Sequence, residues 1–258
     1  MVSNQGKDNK TAIIERHFDS NLVFQEHNAR YEFAKGFVKG RSVLDLGCGI
    51  GHGTEMLSGE AKKIVGVEID SMKLNTAHLY FNKKNIDYII ADARFLPFKE
   101  NMFDTVISLE VIEHLIEHDK YLADIKKVLN PNGKAIISTP DKEIIRLEGT
   151  VSNVAHVKEL THSEFKALLS RYFSRVEIHG QTRRRGVKGL SGILYHVVRR
   201  LDILKIRAMF SRNFKNGILK RISRATGAKA PSEISAEDVA VLKGQTRWAR
   251  NLIGVCEK

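Results

Sequence analysis

A chain of 258 residues, 42% hydrophobic and 28% charged, has the bulk for one large folded domain with or without an extension. It has no apolar run of the roughly 18 residues that a membrane span needs, and its polar first ten residues lack the apolar stretch of a secretory signal. Its two cysteines, Cys48 and Cys256, lie far apart, which favours free thiols in a reducing cytosol over a disulfide or cysteine–metal framework. The net charge of +12 is concentrated: residues 171–230 hold 16 Lys/Arg against 2 Asp/Glu, while the rest hold 26 against 28, so one segment asks for an anionic partner.

In chain order, Tyr31, Phe33, Ala34, Phe37 and Val38 recur at helical spacing and predict an amphipathic helix over 24–38, stopped by Gly40. Val43-Leu44-Asp45-Leu46-Gly47-Cys48-Gly49-Ile50-Gly51 then reads as a buried strand breaking into a glycine loop, where a ligand can approach the backbone closely. A dinucleotide fingerprint counted from Gly47 would need glycine where His52 stands, and a phosphate-binding P-loop would need Gly-Lys-Ser/Thr, which is missing. A second apolar run, Lys63 to Val67, ends in Glu68-Ile69-Asp70. Glu68 lies 21 residues beyond Gly47, where a carboxylate on the next strand can accept both hydroxyls of a ribose, while Asp70 or Ser71 suits the cap of a helix over 72–81.

Strands are predicted at 87–91 and 105–109, a helix at 120–129, a turn at Asn130-Pro131-Asn132-Gly133 and a strand at 135–139. Asp141 to Leu160 reads as a loop too long to be a mere connection. Thr161-His162-Ser163-Glu164 is a capping box that opens a helix over 163–172. Strands follow at 175–179 and 252–256, and between them Leu190, Ile193, Leu194, Val197, Val198, Leu201 and Leu204 form a helical stripe with Arg199, Arg200 and Lys205 off it. Alternating strands and helices imply an α/β fold, a parallel doubly wound sheet that binds ligands at the carboxyl ends of its strands. The predicted organisation is a helical cap over 1–40, a core over 41–182, a basic helical insertion over 183–248 that sits as a lid, and a final strand over 249–258.

Asp45, Gly47, Gly49 and Gly51, followed by Glu68 and by Asp92-Ala93-Arg94-Phe95-Leu96-Pro97-Phe98, resemble the signatures of class I S-adenosylmethionine-dependent methyltransferases. The resemblance covers roughly Glu26 to Gln181 plus the final strand. It implies a Rossmann-like seven-stranded sheet, S-adenosylmethionine as methyl donor, and cofactor contacts at Asp45, Leu46, Gly47, Cys48, Gly49, Gly51, Glu68, Ile69, Asp92, Ala93 and Glu110, with Asp92 accepting the adenine amine. Glu26-His27-Asn28-Ala29-Arg30-Tyr31 is similar to a bacterial and archaeal group often found with glycan-assembly enzymes, which implies Arg30 or Tyr31 at the methionyl end of the donor.

Glu110, Glu113 and His114, with His156, Glu159, Thr161 and Phe165, resemble the metal-dependent 2′-O-methyltransferases of small-RNA 3′ ends; ubiquinone-pathway O-methyltransferases share the first part. That likeness implies a divalent ion, magnesium or similar, on Glu110, Glu113, His114 and His156. Without an ion, His156 or His114 is the candidate general base. These readings converge on O-methylation of a small or lipid-linked, saccharide-like acceptor by a cytoplasmic protein whose basic insertion docks on an anionic membrane face. An RNA methyltransferase is the second choice, and a non-catalytic S-adenosylmethionine-binding regulator is the third.

Overall fold

Apolar runs that end in glycine or acidic residues become strands in the computed structural model, which describes residues 4–18, 21–148, 155–183, 235–244, 246 and 249–258. The predicted stripe at 190–204 and most of the basic insertion lie outside the described residues. The chain divides into two units, Met1–Glu26 with Arg183–Ala240 and His27–Thr182 with Val241–Lys258. Of the first, the structure describes helix α1 (Asn4–His17), the start of α2 (Asn21–Lys35) and a short turn whose Asp238 carboxylate accepts the backbone and hydroxyl of Ser235.

The second unit carries the sheet. Its parallel strands are β1 (Ser42–Leu46), β2 (Lys63–Glu68), β3 (Ile86–Ile90), β4 (Phe103–Leu109) and β5 (Leu129–Pro140). Helices α3 (His52–Ser58), α4 (Ser71–Tyr80) and α5 (His118–Val128) connect them. After α6 (Lys142–Glu148), α7 (His162–Ser170), β6 (Arg175–Arg183) and the short β7 (Val239–Leu242), strand β8 (Asn251–Glu257) inserts antiparallel between β5 and β6. The sheet order is β3-β2-β1-β4-β5-β8-β6-β7.

Both faces of the sheet are covered, which is why its strands are almost uninterrupted apolar runs. Leu44, Leu46, Ala135, Ile137, Leu252 and Cys256 enter one core with α5 and α7, and Val43, Ile136, Ile253 and Val255 enter the other with Tyr31, Ala34 and Leu74. Neighbours in one strand go to opposite layers, as the two-residue repeat requires. Helix starts follow local chemistry: Asp70 caps α4 by accepting from Met72 and Lys73, and Thr161 with Glu164 forms the capping box of α7.

Three expectations are corrected. Asn130-Pro131-Asn132-Gly133 is not a separate turn but a bulge inside β5, where pairing passes from Phe103↔Leu129 to Thr105↔Lys134. Asp141 to Leu160 is not all loop: α6 fills its first part, and a bridge between Asp141 and Leu160 closes it. The sheet carries eight strands, because the short β7 adds an edge beside β6.

Gly51 shows how tightly the glycine loop is packed. Its φ is +84°, and an added Cβ would lie 2.5 Å from the Tyr88 hydroxyl and 2.7 Å from Ala77 Cβ. A left-handed non-glycine residue costs about 1–2 kcal/mol, and overpacking adds about 1–3 kcal/mol. Gly51→Ala is expected to lower the free energy of unfolding in urea by about 2–5 kcal/mol; a change below 1 kcal/mol would mean that the loop yields.

Candidate active site

The carboxyl ends of β1, β2 and β4 bring the first group of residues together. Gly47, Gly49 and Gly51 all have positive φ, so the loop after β1 takes a course closed to most side chains. Gly47 and Cys48 donate their N–H groups to Val67 O, which pins the loop to β2 at 2.8 and 2.9 Å. Glu68 ends β2 with its carboxylate accepting from Gly49 N at 3.0 Å, Ile69 N at 3.0 Å and Asp70 N at 3.1 Å. Three of about four acceptor positions on the carboxylate are used, which leaves one for a further donor. Beside it Ile69 is 64% exposed, an apolar surface at a polar strand end.

Behind the loop lies a buried network. Asp45 accepts from the Tyr31 hydroxyl at 3.0 Å and the Thr54 hydroxyl at 2.6 Å, and none of the three is accessible beyond 2%. Burial pushes the Asp45 carboxyl up to about 6, against the pull of the two hydroxyl hydrogen bonds. Burial likewise raises the Tyr31 phenol and the Cys48 thiol. Asp45, Leu46, Cys48 and Tyr31 therefore brace the loop from within: they face the two core layers rather than the open edge.

At the end of β3, Asp92 is clasped by Arg94, whose Nε lies 3.0 Å from Oδ1 and whose second guanidinium nitrogen lies 2.6 Å from Oδ2. Arg94 also reaches Glu117 at 3.0 Å. These bonds hold the Asp92 carboxyl below its ordinary value. The pair is partly exposed, and such pairs are cheap to open. Ala93 is half-buried next to it and packs against the core.

The second group follows β4. Glu110 has a φ of +57°, rare for a residue with a side chain. Its carboxylate accepts from Ser138 Oγ and Asn251 Nδ2, both at 2.6 Å, with Arg30 Nε at 4.0 Å. The backbone then turns into a short helix, Ile112–His114. Glu113 is fully buried, and neither carboxylate oxygen has a hydrogen-bond partner among the described residues. Burial raises its pKa well above the ordinary carboxylate range, and the charge of Glu110 adds to the rise. Its backbone carbonyl accepts from Val157 N and Lys158 N at 2.9 and 3.1 Å, which ties the segment before α7 to this point. Glu113, His114 and His156 each offer one ligand atom, and these atoms lie within 4.8 Å of one another.

The sequence of this edge has relatives. Residues 44–137 match a family described as a methyltransferase domain. A probable S-adenosylmethionine-dependent methyltransferase of Mycolicibacterium smegmatis is 28% identical over 152 residues, 58% of this chain and 58% of that protein. A ubiquinone biosynthesis O-methyltransferase of Pelagibacter ubique is 30% identical over 109 residues, 42% of this chain and 45% of the relative. The crystal structure of a SAM-dependent methyltransferase from Archaeoglobus fulgidus shares the fold, with a TM-score of 0.60 at 17% identity over 96% of this chain and 99% of that one. Residues 44–137 are thus similar to S-adenosylmethionine-dependent methyltransferase domains, and the sheet shares their fold. The chain matches little more than half the length of the first relative and less than half of the second, so the likeness speaks for the methyltransferase core rather than for an acceptor.

The structure gathers Gly47, Gly49, Gly51, Glu68 and Ile69 at one sheet edge. Glu110 departs from the expected metal set. It precedes the helical turn that carries Glu113 and His114, its φ sends the side chain toward β5 and β8, and Ser138 and Asn251 occupy its oxygens. Thr54, Arg94, Ser138 and Asn251 were not predicted as site residues. Only Asn251 left a legible signal, a lone amide opening an otherwise apolar strand.

Proposed function

We propose that the chain methylates a hydroxyl oxygen on a small or lipid-linked, saccharide-like acceptor bound beside Glu113, His114 and His156. The supporting observation is the orphaned, buried Glu113 carboxyl that meets two imidazoles next to the glycine loop. The kinship with an O-methyltransferase is consistent with an oxygen acceptor. S-adenosylmethionine supplies a methyl on a sulfonium, an activated group that needs little from the protein beyond alignment. The glycine loop and Glu68 suit its adenosyl part: a backbone cradle next to a carboxylate with acceptor capacity left. The chain's own tasks are then to hold the acceptor oxygen in line, to exclude water, and to take the hydroxyl proton on Nε2 of His156 or His114.

The same three residues fit a divalent ion, since a buried carboxyl without a partner is costly and an ion would satisfy it. Two imidazoles and one carboxylate favour a transition ion such as manganese, iron or zinc over magnesium. Bound there, an ion would lower the pKa of a coordinated hydroxyl.

The basic stretch at 171–230 favours an acceptor held at an anionic surface, such as a membrane face. RNA is the second reading, and it predicts binding that falls steeply with salt. The test is labelled S-adenosylmethionine with fractionated cell extract. Label should enter the lipid or saccharide fraction, and His156→Ala should cut the rate by about 10²–10⁴-fold, the usual contribution of a general base. If an ion is used, both imidazoles are its ligands rather than bases, and chelator should stop turnover and manganese restore it. Label confined to RNA overturns the acceptor, and full turnover in excess chelator removes the ion.

A further inference from the structure

His114 and His156 meet edge to face with ring centroids 5.1 Å apart, and each has its Nδ1 on an oxygen. For His114 the oxygen is Ala155 O at 2.9 Å, and for His156 it is Glu159 Oε1 at 2.9 Å. A carbonyl oxygen can only accept, as can a carboxylate when ionised, so in the neutral rings both Nδ1 atoms carry hydrogen and both Nε2 atoms carry a lone pair. The two restraints differ in origin. Ala155 O is backbone and persists through any substitution, whereas the restraint on His156 is one side chain. The His156 and Glu159 side chains are 12% and 13% exposed, so water competes poorly for their bond.

We propose that Glu159 is a positioning residue: its carboxylate fixes His156 as the Nδ1–H tautomer and sets the ring so that the Nε2 lone pair serves the same point as Glu113 and His114. The proposal rests on reading this cluster as the acceptor site, and it assigns a role to a residue that makes no contact with the reacting atoms. The backbone bonds from Val157 and Lys158 to Glu113 O locate the segment, but they leave the imidazole free to rotate and to exchange its proton between nitrogens. An unrestrained imidazole favours hydrogen on Nε2, which would turn an N–H toward the cluster and leave it with neither a base nor a ligand at that position. A donor to a carboxylate behind a working histidine is a recurring way of fixing its tautomer.

The test uses ¹⁵N NMR of the imidazoles in the full chain, free of metal ions, at a pH above the imidazole titration followed in the same spectra. In the unsubstituted protein His156 should show its unprotonated nitrogen at Nε2. In Glu159→Ala the larger population should shift to Nε2–H, while Glu159→Gln, whose amide oxygen can accept, should retain Nδ1–H. His114, held by Ala155 O, should be unchanged in both variants and serves as the control for folding. A His156 that keeps Nδ1–H in the alanine variant overturns the proposal. Manganese affinity measured by calorimetry should fall about 10–100-fold in Glu159→Ala, the usual effect of losing such a support. If no extract fraction is methylated yet the tautomer shifts as described, the proposed function fails and the role of Glu159 stands.

Discussion

Glu68→Ala is expected to weaken S-adenosylmethionine binding by at least about 10–10²-fold, read by calorimetry on a protein that still unfolds cooperatively. The estimate follows from one ribose hydroxyl, on the acceptor position the loop leaves open, losing a bond to a charged acceptor worth about 1.5–3 kcal/mol. A loop effect comes on top, because the same carboxylate holds Gly49, Ile69 and Asp70 through their N–H groups. Glu68→Gln separates the two contributions. Its single amide oxygen can keep part of the loop in place but lacks the charge, so it should lie between the parent and the alanine variant. Unchanged affinity in Glu68→Ala would remove the ribose assignment. Equal losses in both variants would mean that charge matters more than loop order.

The second large effect is on stability against pH. Asp45 is fully buried, with its folded pKa raised from 3.8 to about 6. A carboxyl whose folded pKa is raised binds a proton that the unfolded chain has already released. Its contribution is therefore complete below about 3.8, falls as pH rises through about 6, and is constant above that. With a slope of about 1.4 kcal/mol per pH unit, the loss amounts to roughly 3 kcal/mol. Asp45→Asn cannot titrate, although its oxygen can still accept from Tyr31 or Thr54. Urea unfolding between pH 4 and pH 7 should show the parent losing about 3 kcal/mol relative to the variant up to about pH 6, with no further change. A difference independent of pH would show that Asp45 titrates normally. The cost of a buried acid here is repaid by rigidity, since Asp45 joins Tyr31 of α2 and Thr54 of α3 behind the glycine loop.

Local signals carried the elements well. β1 was legible at both ends because an apolar run is cut by Gly47, and α7 because its capping box is written in four consecutive residues. At the sheet edge, the sequence alone paired the glycine loop with Glu68, and the fold does bring them into contact. Tyr31 and Asp45 looked like ligand contacts, yet they bond to each other in the core, because residues 14 apart in sequence were set face to face by α2 crossing β1. Glu110, Glu113 and His114 were expected to serve one ion, and a positive φ at Glu110 with its bonds to Ser138 and Asn251 sets that carboxylate apart from the other two.

The sequence by itself determined the class of fold and the strand edge at which a ligand would sit, because hydrophobic period, glycine spacing and helix caps are properties of short stretches of chain. Which carboxylate stays unsatisfied was decided only by tertiary structure. Glu110 finds Ser138 and Asn251 on strands distant in sequence, while Glu113, three residues on, finds no side-chain hydrogen bond among the described residues and is left facing two imidazoles. Hydrogen-bond satisfaction depends on what the fold brings alongside, and no spacing along the chain encodes it.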